Sequence, residues 1–270
     1  MEHFLKHSAL TDPGKHASAI AALQGDVASL LAMTRGHFVH ESALGLYGVA
    51  TGDFPAWSRD TLSLEKRLSR ILAASDEPLS VARPVRHRQV GTCRDFAVML
   101  CGCLRSRSVP ARVRCGFAGY FSAGRFEDHW ICEHWLAEQK RWARADAQLD
   151  TAHCKHLGIV FDTADMPQGV FKTAAEAWRS CRAGEADPDH FGHGEAVGEQ
   201  FLLINLARDF LSLNGQETSH WDGWRAAIPL SHSVSDTDRR MCNALAEEIE
   251  LSEANPASTR AMSCPEPFWK

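Results

Sequence analysis

Between Gly91 and Gln148 the hydrophobic pattern of this chain changes period once, and that change limits what the chain can fold into. Phe96, Ala97, Leu100, Cys101 and Leu104 recur at the spacing of one broad helical face, which predicts a helix from Arg94 to Arg107. Pro110 ends that run. Beyond it, strand-like stretches are expected at Ala111 to Tyr120, His129 to Ala137 and Arg141 to Gln148, the last two joined through Glu138-Gln139-Lys140 as a tight hairpin. A helix that feeds a hairpin sheet reads as α+β.

A cysteine stands at the point where the Gly91 turn gives way to the helix. In Val90-Gly91-Thr92-Cys93-Arg94-Asp95-Phe96-Ala97, Cys93 falls at a helix start, where backbone N–H groups and the positive end of the helix dipole favour a thiolate. Reactive cysteines in such places have pKa values of roughly 3.5 to 7.5, against about 8.5 for a free thiol. The same N–H groups can hold an oxyanion. Downstream, Asp128-His129-Trp130 opens one strand and Asp146 closes the next, and a short hairpin brings residues near such far ends side by side. Cys93, His129 and Asp146 thus supply a nucleophile, a base and an orienting carboxylate. Singly, each has an ordinary reading as buried filler, core group or turn residue.

Composition narrows the remaining possibilities. The chain has 270 residues, 44% hydrophobic and 23% charged, with a net charge of -5, so the global balance favours neither nucleic acid nor an anionic membrane as partner. The arginines gathered at Arg83, Arg86 and Arg88, and at Arg105, Arg107, Arg112 and Arg114, read as solvated faces. The start, Met1-Glu2-His3-Phe4-Leu5-Lys6, lacks the apolar core of a secretory signal, and a cytoplasmic location is expected. Nine cysteines at irregular spacing fit free thiols better than a disulfide scaffold. His129-x2-Cys132-x-His134 and His153-Cys154-x-His156 bring soft ligands close together without the paired CxxC form of structural zinc sites, so no metal is expected. Trp130, Trp135 and Trp142 suit strand packing, and they could also help exclude water from a site.

Elsewhere, Asp12 and Pro13 start two helical stretches that run to about His40, separated near Gly25-Asp26, and a third helix is expected from Asp60 through Ala74. Pro78 and Pro84 mark an irregular approach to Cys93. After Asp150 the expectations are a helix near Thr173 to Arg182, a connecting loop from Ala183 to Gly194, a helix from about Ala196 to Leu213, and a mobile tail from Ser252.

The residues Gly91 to Ala97, Leu104-Arg105-Ser106-Arg107-Ser108-Val109-Pro110-Ala111-Arg112, Asp128-His129-Trp130, Arg141-Trp142 and Asp146 together resemble the core of the transglutaminase-like superfamily, over about 62 to 150. The resemblance implies a papain-related α+β fold, with the nucleophile at a helix N-terminus packed on an antiparallel sheet that carries the His and Asp. A single domain over 1–250 is expected around this core, with a helical part at 11–60, a mixed helical part at 151–250 and a flexible tail at 251–270. Carried over, Cys93 is the nucleophile, His129 the general base and acid, and Asp146 the orienting carboxylate. Many relatives have an arginine before the Gly-x-Cys where this chain reads Arg88-Gln89-Val90-Gly91, which makes Gln89, with Trp130, a candidate oxyanion or substrate contact. The activity implied is attack on the amide carbonyl of a peptide or small amide, giving a thioester resolved by water or an amine without a cofactor. The alternative is a peptide-binding module that keeps the fold without catalysis.

Overall fold

The computed structural model describes residues 2–55, 63–218 and 233–254, which form two compact units. The first unit holds 2–113 and 131–167, and the second 114–130 and 168 onward. The helices are α1 (Ala17–Ala21), α2 (Val27–His37), α3 (Leu64–Ala73), α4 (Cys93–Ser106), α5 (Thr151–Leu157), α6 (Ala174–Arg182), α7 (Glu199–Leu213) and α8 (Asp236–Ala254). The strands are β1 (Phe38–His40), β2 (Gln89–Gly91), β3 (Ala111–Ala118), β4 (Phe126–Leu136), β5 (Arg141–Ala145), β6 (Phe171–Thr173), β7 (Phe191–His193) and β8 (Ala196–Val197). Strands β3 and β4 are neighbours in one sheet.

In the first unit α4 is the organising element. Its expected amphipathic face is wider than the pattern suggested, because every residue from Arg94 to Arg105 is buried, with α1, α2 and α3 packed against it. Two of those buried residues are arginines, which a single-face reading leaves in water. Arg105 is accommodated by donating to the carbonyl of Ala111 (2.9 Å) and to Thr11 Oγ1 (3.0 Å). Asp26 caps α2 by accepting from the Ser29 N–H, as its place after Gly25 predicts, and Ser63 caps α3. The start expected at Asp60 lies outside the described residues. The predicted hairpin is present, with Trp135 opposite Trp142, Cys132 opposite Ala145, and Lys140 in the turn at φ 52°. Strand β4 begins at Phe126, three residues before the expected start, and β5 ends at Ala145, three before the expected end at Gln148. Past Ala145 the backbone turns away, and the Asp146 N–H donates to the Thr163 carbonyl (2.9 Å).

In the second unit, α6, α7 and α8 pack on one another beside short strands. Helix α6 starts at the predicted place, with Thr173 and Glu176 forming a capping box. The stretch expected to be a loop from Ala183 to Gly194 contains β7, which pairs in parallel with Phe126–Glu127 of β4 and antiparallel with β8. The sheet is therefore mixed and not purely antiparallel. Residues 251–254, expected in a flexible tail, continue α8, and the rest of that tail lies outside the described residues. Among the described residues no helix is long and apolar enough to cross a membrane.

The arginine clusters are the largest departure from expectation. Arg83, Arg105, Arg112 and Arg114 are all buried, Arg114 completely. Arg112 pairs with Glu133 (2.6 Å) and lies 4.2 Å from the Trp142 ring, while Arg114 forms a two-pronged bond to Asp209 (3.0 and 2.8 Å). Guanidinium tolerates burial when a carboxylate meets its fork, and each partner here is more than twenty residues away or on another element.

Candidate functional site

Cys93 is the first residue of α4 and is half-buried. Thr92 stands before it as N-cap, and the Thr92 N–H donates to Asp95 Oδ2 (2.8 Å), so the third helical residue holds the turn that presents the thiol. The Asp95 carboxylate is buried and is also met by Arg67 Nη2 (2.8 Å) and Arg94 Nη2 (3.3 Å). Gly91 has a steric reason to be glycine, since a Cβ there would come 2.9 Å from Asp95 Oδ2. The sequence Gly-Thr-Cys-Arg-Asp is thus one local device, in which space, cap, thiol and anchoring carboxylate follow in order.

Arg67 is a site residue that the sequence reading missed. From the buried face of α3 it reaches Asp95, the Val90 carbonyl (3.3 Å) and Gln89 Oε1 (3.3 Å). The only signal for it is position, because it shares a helical face with Leu64, Leu68 and Ile71. Gln89, the oxyanion candidate, accepts that bond and donates Nε2 to the Arg67 carbonyl (2.7 Å), so its amide is turned toward α3.

Five other described cysteines are held as thiols by burial. Burial pushes Cys103 up to about 12 and Cys181 up to about 11, and it raises Cys132, Cys154 and Cys242 as well.

Asp146 is also in the first unit and is buried. Its Oδ1 accepts from the Gln148 N–H (2.8 Å), and its carbonyl accepts from Arg35 Nη2 (2.9 Å), which also donates to Thr163 Oγ1 (2.8 Å). Burial draws the Arg35 guanidinium below its ordinary value, and the Asp146 carboxylate opposes that shift. Arg35 comes from α2, far from the motif in sequence, and nothing in its local pattern marks it. Just beyond, Asp150 caps α5 and accepts from Tyr47 Oη (2.7 Å) and from the His153 ring at Nδ1 (3.0 Å). Burial pushes the Asp150 carboxyl up, but the bonds from His153 and Tyr47 outweigh it and hold the group well below the usual carboxylate range.

His129 belongs to the second unit and is buried, with the rings of Phe121 and Tyr120 meeting it edge-on at 4.9 and 6.0 Å. Its chain neighbours are both held by α7. Arg208 donates to Asp128 (3.2 Å) and lies 4.9 Å from the Trp130 ring, and Asn205 donates to Asp128 (2.7 Å). Side chains alternate along a strand, so fixing 128 and 130 on one face directs His129 to the other. Trp130, the second candidate contact, is 2% exposed, and its indole N–H is buried with no hydrogen-bond partner among the described residues.

The clusters weighed as zinc ligands have other partners. His134 Nε2 meets the Ala164 carbonyl (3.2 Å), Cys132 donates to the Glu133 carbonyl (3.6 Å), and His153 belongs to the Asp150 network.

No curated protein matches the chain. A solved structure described as a "Putative Cysteine Protease from Cytophaga hutchinsonii" aligns with a TM-score of 0.35 and 16% identity over 63% of this chain. The chain spans 44% of that protein's length. Residues 63–147 match the model of the transglutaminase-like superfamily, so the segment that carries Cys93, His129 and Asp146 is similar in sequence to that superfamily's core.

Proposed function

We propose that the protein is a cysteine-dependent enzyme that acts on the amide carbonyl of a peptide-like substrate. The observation that carries this reading is the placement of Cys93, half-buried at the first residue of a helix whose opening turn is fixed by Asp95 and Arg67 within the family-matched segment. In the proposed reaction the Cys93 sulfur attacks the carbonyl carbon, and the oxyanion is met by the Cys93 backbone N–H. The C–N bond then breaks, and the amine leaves with the proton that His129 took from the Cys93 thiol. Water or a second amine then gives a proton of its own to His129 and attacks the thioester carbonyl, and the departing Cys93 sulfur takes up that proton as the thiol. Asp146 keeps the imidazole in the tautomer that this exchange needs.

The test is intact-mass spectrometry after brief exposure to p-nitrophenyl acetate, an activated acyl donor. A single acetyl adduct at Cys93 is expected, absent in Cys93→Ser and strongly slowed in His129→Gln. Equal turnover by wild type and Cys93→Ser, or an adduct at another side chain, overturns the proposal.

A further inference from the structure

The first unit contains a cavity of about 450 Å³ whose described lining includes Arg67, Arg70, Arg86, His87, Arg88 and Gln89. Pockets that hold small molecules span roughly 300–1,000 Å³, so the volume suits a compact organic ligand. The chemistry of its described wall is lopsided: four guanidinium groups and an imidazole, with no carboxylate among the described lining side chains.

Two of the four charges are matched from outside the wall. Arg67 is paired with Asp95 at 2.8 Å, and Arg86 is paired with Asp53. The other two are not. Arg88 spends its Nε on the Arg83 carbonyl (2.9 Å), and neither Arg88 nor Arg70 meets a carboxylate among the described residues. Arg70 follows Arg67 by one helical turn on α3, which places both guanidinium groups toward the same wall. Phe54, Pro55, Ala74 and Val90 give the cavity an apolar surface beside this charge.

We propose that this cavity binds a phosphate monoester carried on a small apolar or aromatic body. A phosphate monoester bears about -1.5 to -2 charges at neutral pH, close to the two unmatched guanidinium charges, and its oxygens fit the guanidinium fork. The apolar surface takes the organic part, which inorganic phosphate lacks. Gln89 and Val90 in the wall lie on the strand that runs into Thr92 and Cys93, but the proposal stands whether or not Cys93 is a nucleophile.

The experiment is calorimetric titration of the full chain with phenyl phosphate, compared with inorganic phosphate, phthalate and benzyl alcohol. Phenyl phosphate should bind saturably, at least about tenfold more tightly than the other three, and should weaken as salt is raised. Arg70→Glu and Arg88→Gln should each weaken it by about tenfold or more, equivalent to about 1.4 kcal/mol. Arg179→Glu, a change of a half-buried arginine on α6 that is not among the cavity's lining residues, should leave it unaltered. Arg70 is exposed and Arg88 half-buried, so both variants should fold, as circular dichroism checks. Absence of saturable binding, or equal binding by folded Arg70→Glu and Arg88→Gln, overturns the proposal. Phthalate binding as tightly as phenyl phosphate overturns the assignment to a phosphate ester.

Discussion

If Arg67 and Asp95 hold the turn that presents Cys93, a double-mutant cycle across them should show strong coupling. Their atoms are 2.8 Å apart and both side chains are 5% exposed. With charge centres about 4 Å apart and an effective dielectric near 20, the attraction is about 4 kcal/mol. Asp95→Ala leaves the Arg67 guanidinium buried with only the Val90 carbonyl and Gln89 amide near it, and breaking a buried pair in this way costs about 3–5 kcal/mol. Arg67→Met removes the other charge and should cost less, because Asp95 keeps Arg94 and the Thr92 N–H. The double variant carries no stranded charge from this pair, so its loss should fall short of the summed single losses by about 2 kcal/mol or more. Urea denaturation followed by tryptophan fluorescence measures all four proteins. Amide exchange at Thr92 supplies a local reading, since that N–H loses its acceptor in Asp95→Ala and keeps one in Asp95→Asn. A coupling below about 0.5 kcal/mol, or unchanged Thr92 exchange in Asp95→Ala, refutes the reasoning.

Arg35→Met should slow acylation of Cys93 by p-nitrophenyl acetate by about tenfold or more while leaving apparent affinity nearly unchanged, because Arg35 anchors the backbone at Asp146. An equal loss in affinity would point to general damage instead. Tyr47→Phe should destabilise the protein by about 1–2 kcal/mol at neutral pH by removing a bond to the Asp150 carboxylate. Asp150 is depressed in the folded state, so its contribution is present above its unfolded value of about 3.9 and fades as pH falls toward the lower folded value. The gap between wild type and Tyr47→Phe should therefore close in acid, and a gap constant with pH would contradict this. His37 is fully buried, with Nε2 on the Leu79 carbonyl (2.8 Å), and burial holds its folded value below the ordinary one. Below pH about 6.5 the unfolded chain takes a proton that the native ring resists, so stability should fall by up to about 1.4 kcal/mol per pH unit. His37→Gln should flatten that slope between pH 7.5 and 5.5, a window fixed by about 6.5 for the unfolded ring, as urea midpoints at each pH would show.

The parts of this fold that were legible in the sequence are those set by short-range chemistry. The change of period at Pro110, the Gly91-Thr92-Cys93 turn and the 138–140 hairpin all depend on residues within a few positions of one another, and the structure has them where the pattern puts them. Strand β7 reads as loop in the sequence because its three residues are too few to show a period and its partners are Phe126–Glu127 of β4 and a two-residue β8. Helix α8 is a different case. Cys242, Leu245, Ala246 and Ile249 are all buried at helical spacing, so its signal is present in the sequence. The buried arginines had no such signal, since the groups that receive Arg112 and Arg114, Glu133 and Asp209, lie 21 and 95 residues away.

That blind spot coincides with the candidate site. Each of its three segments is fixed by an arginine on a helix: Arg67 on α3 for the turn before Cys93, Arg35 on α2 for the loop at Asp146, and Arg208 on α7 for the residues flanking His129. Only the first of these lies within residues 63–147. Residues 63–147 therefore carry the three candidate groups but not all of the arginines that fix the segments around them. Charged supports suit this task better than apolar packing would, because a guanidinium fork fixes both the distance and the plane of the backbone or carboxylate it meets, whereas apolar contacts fix only proximity.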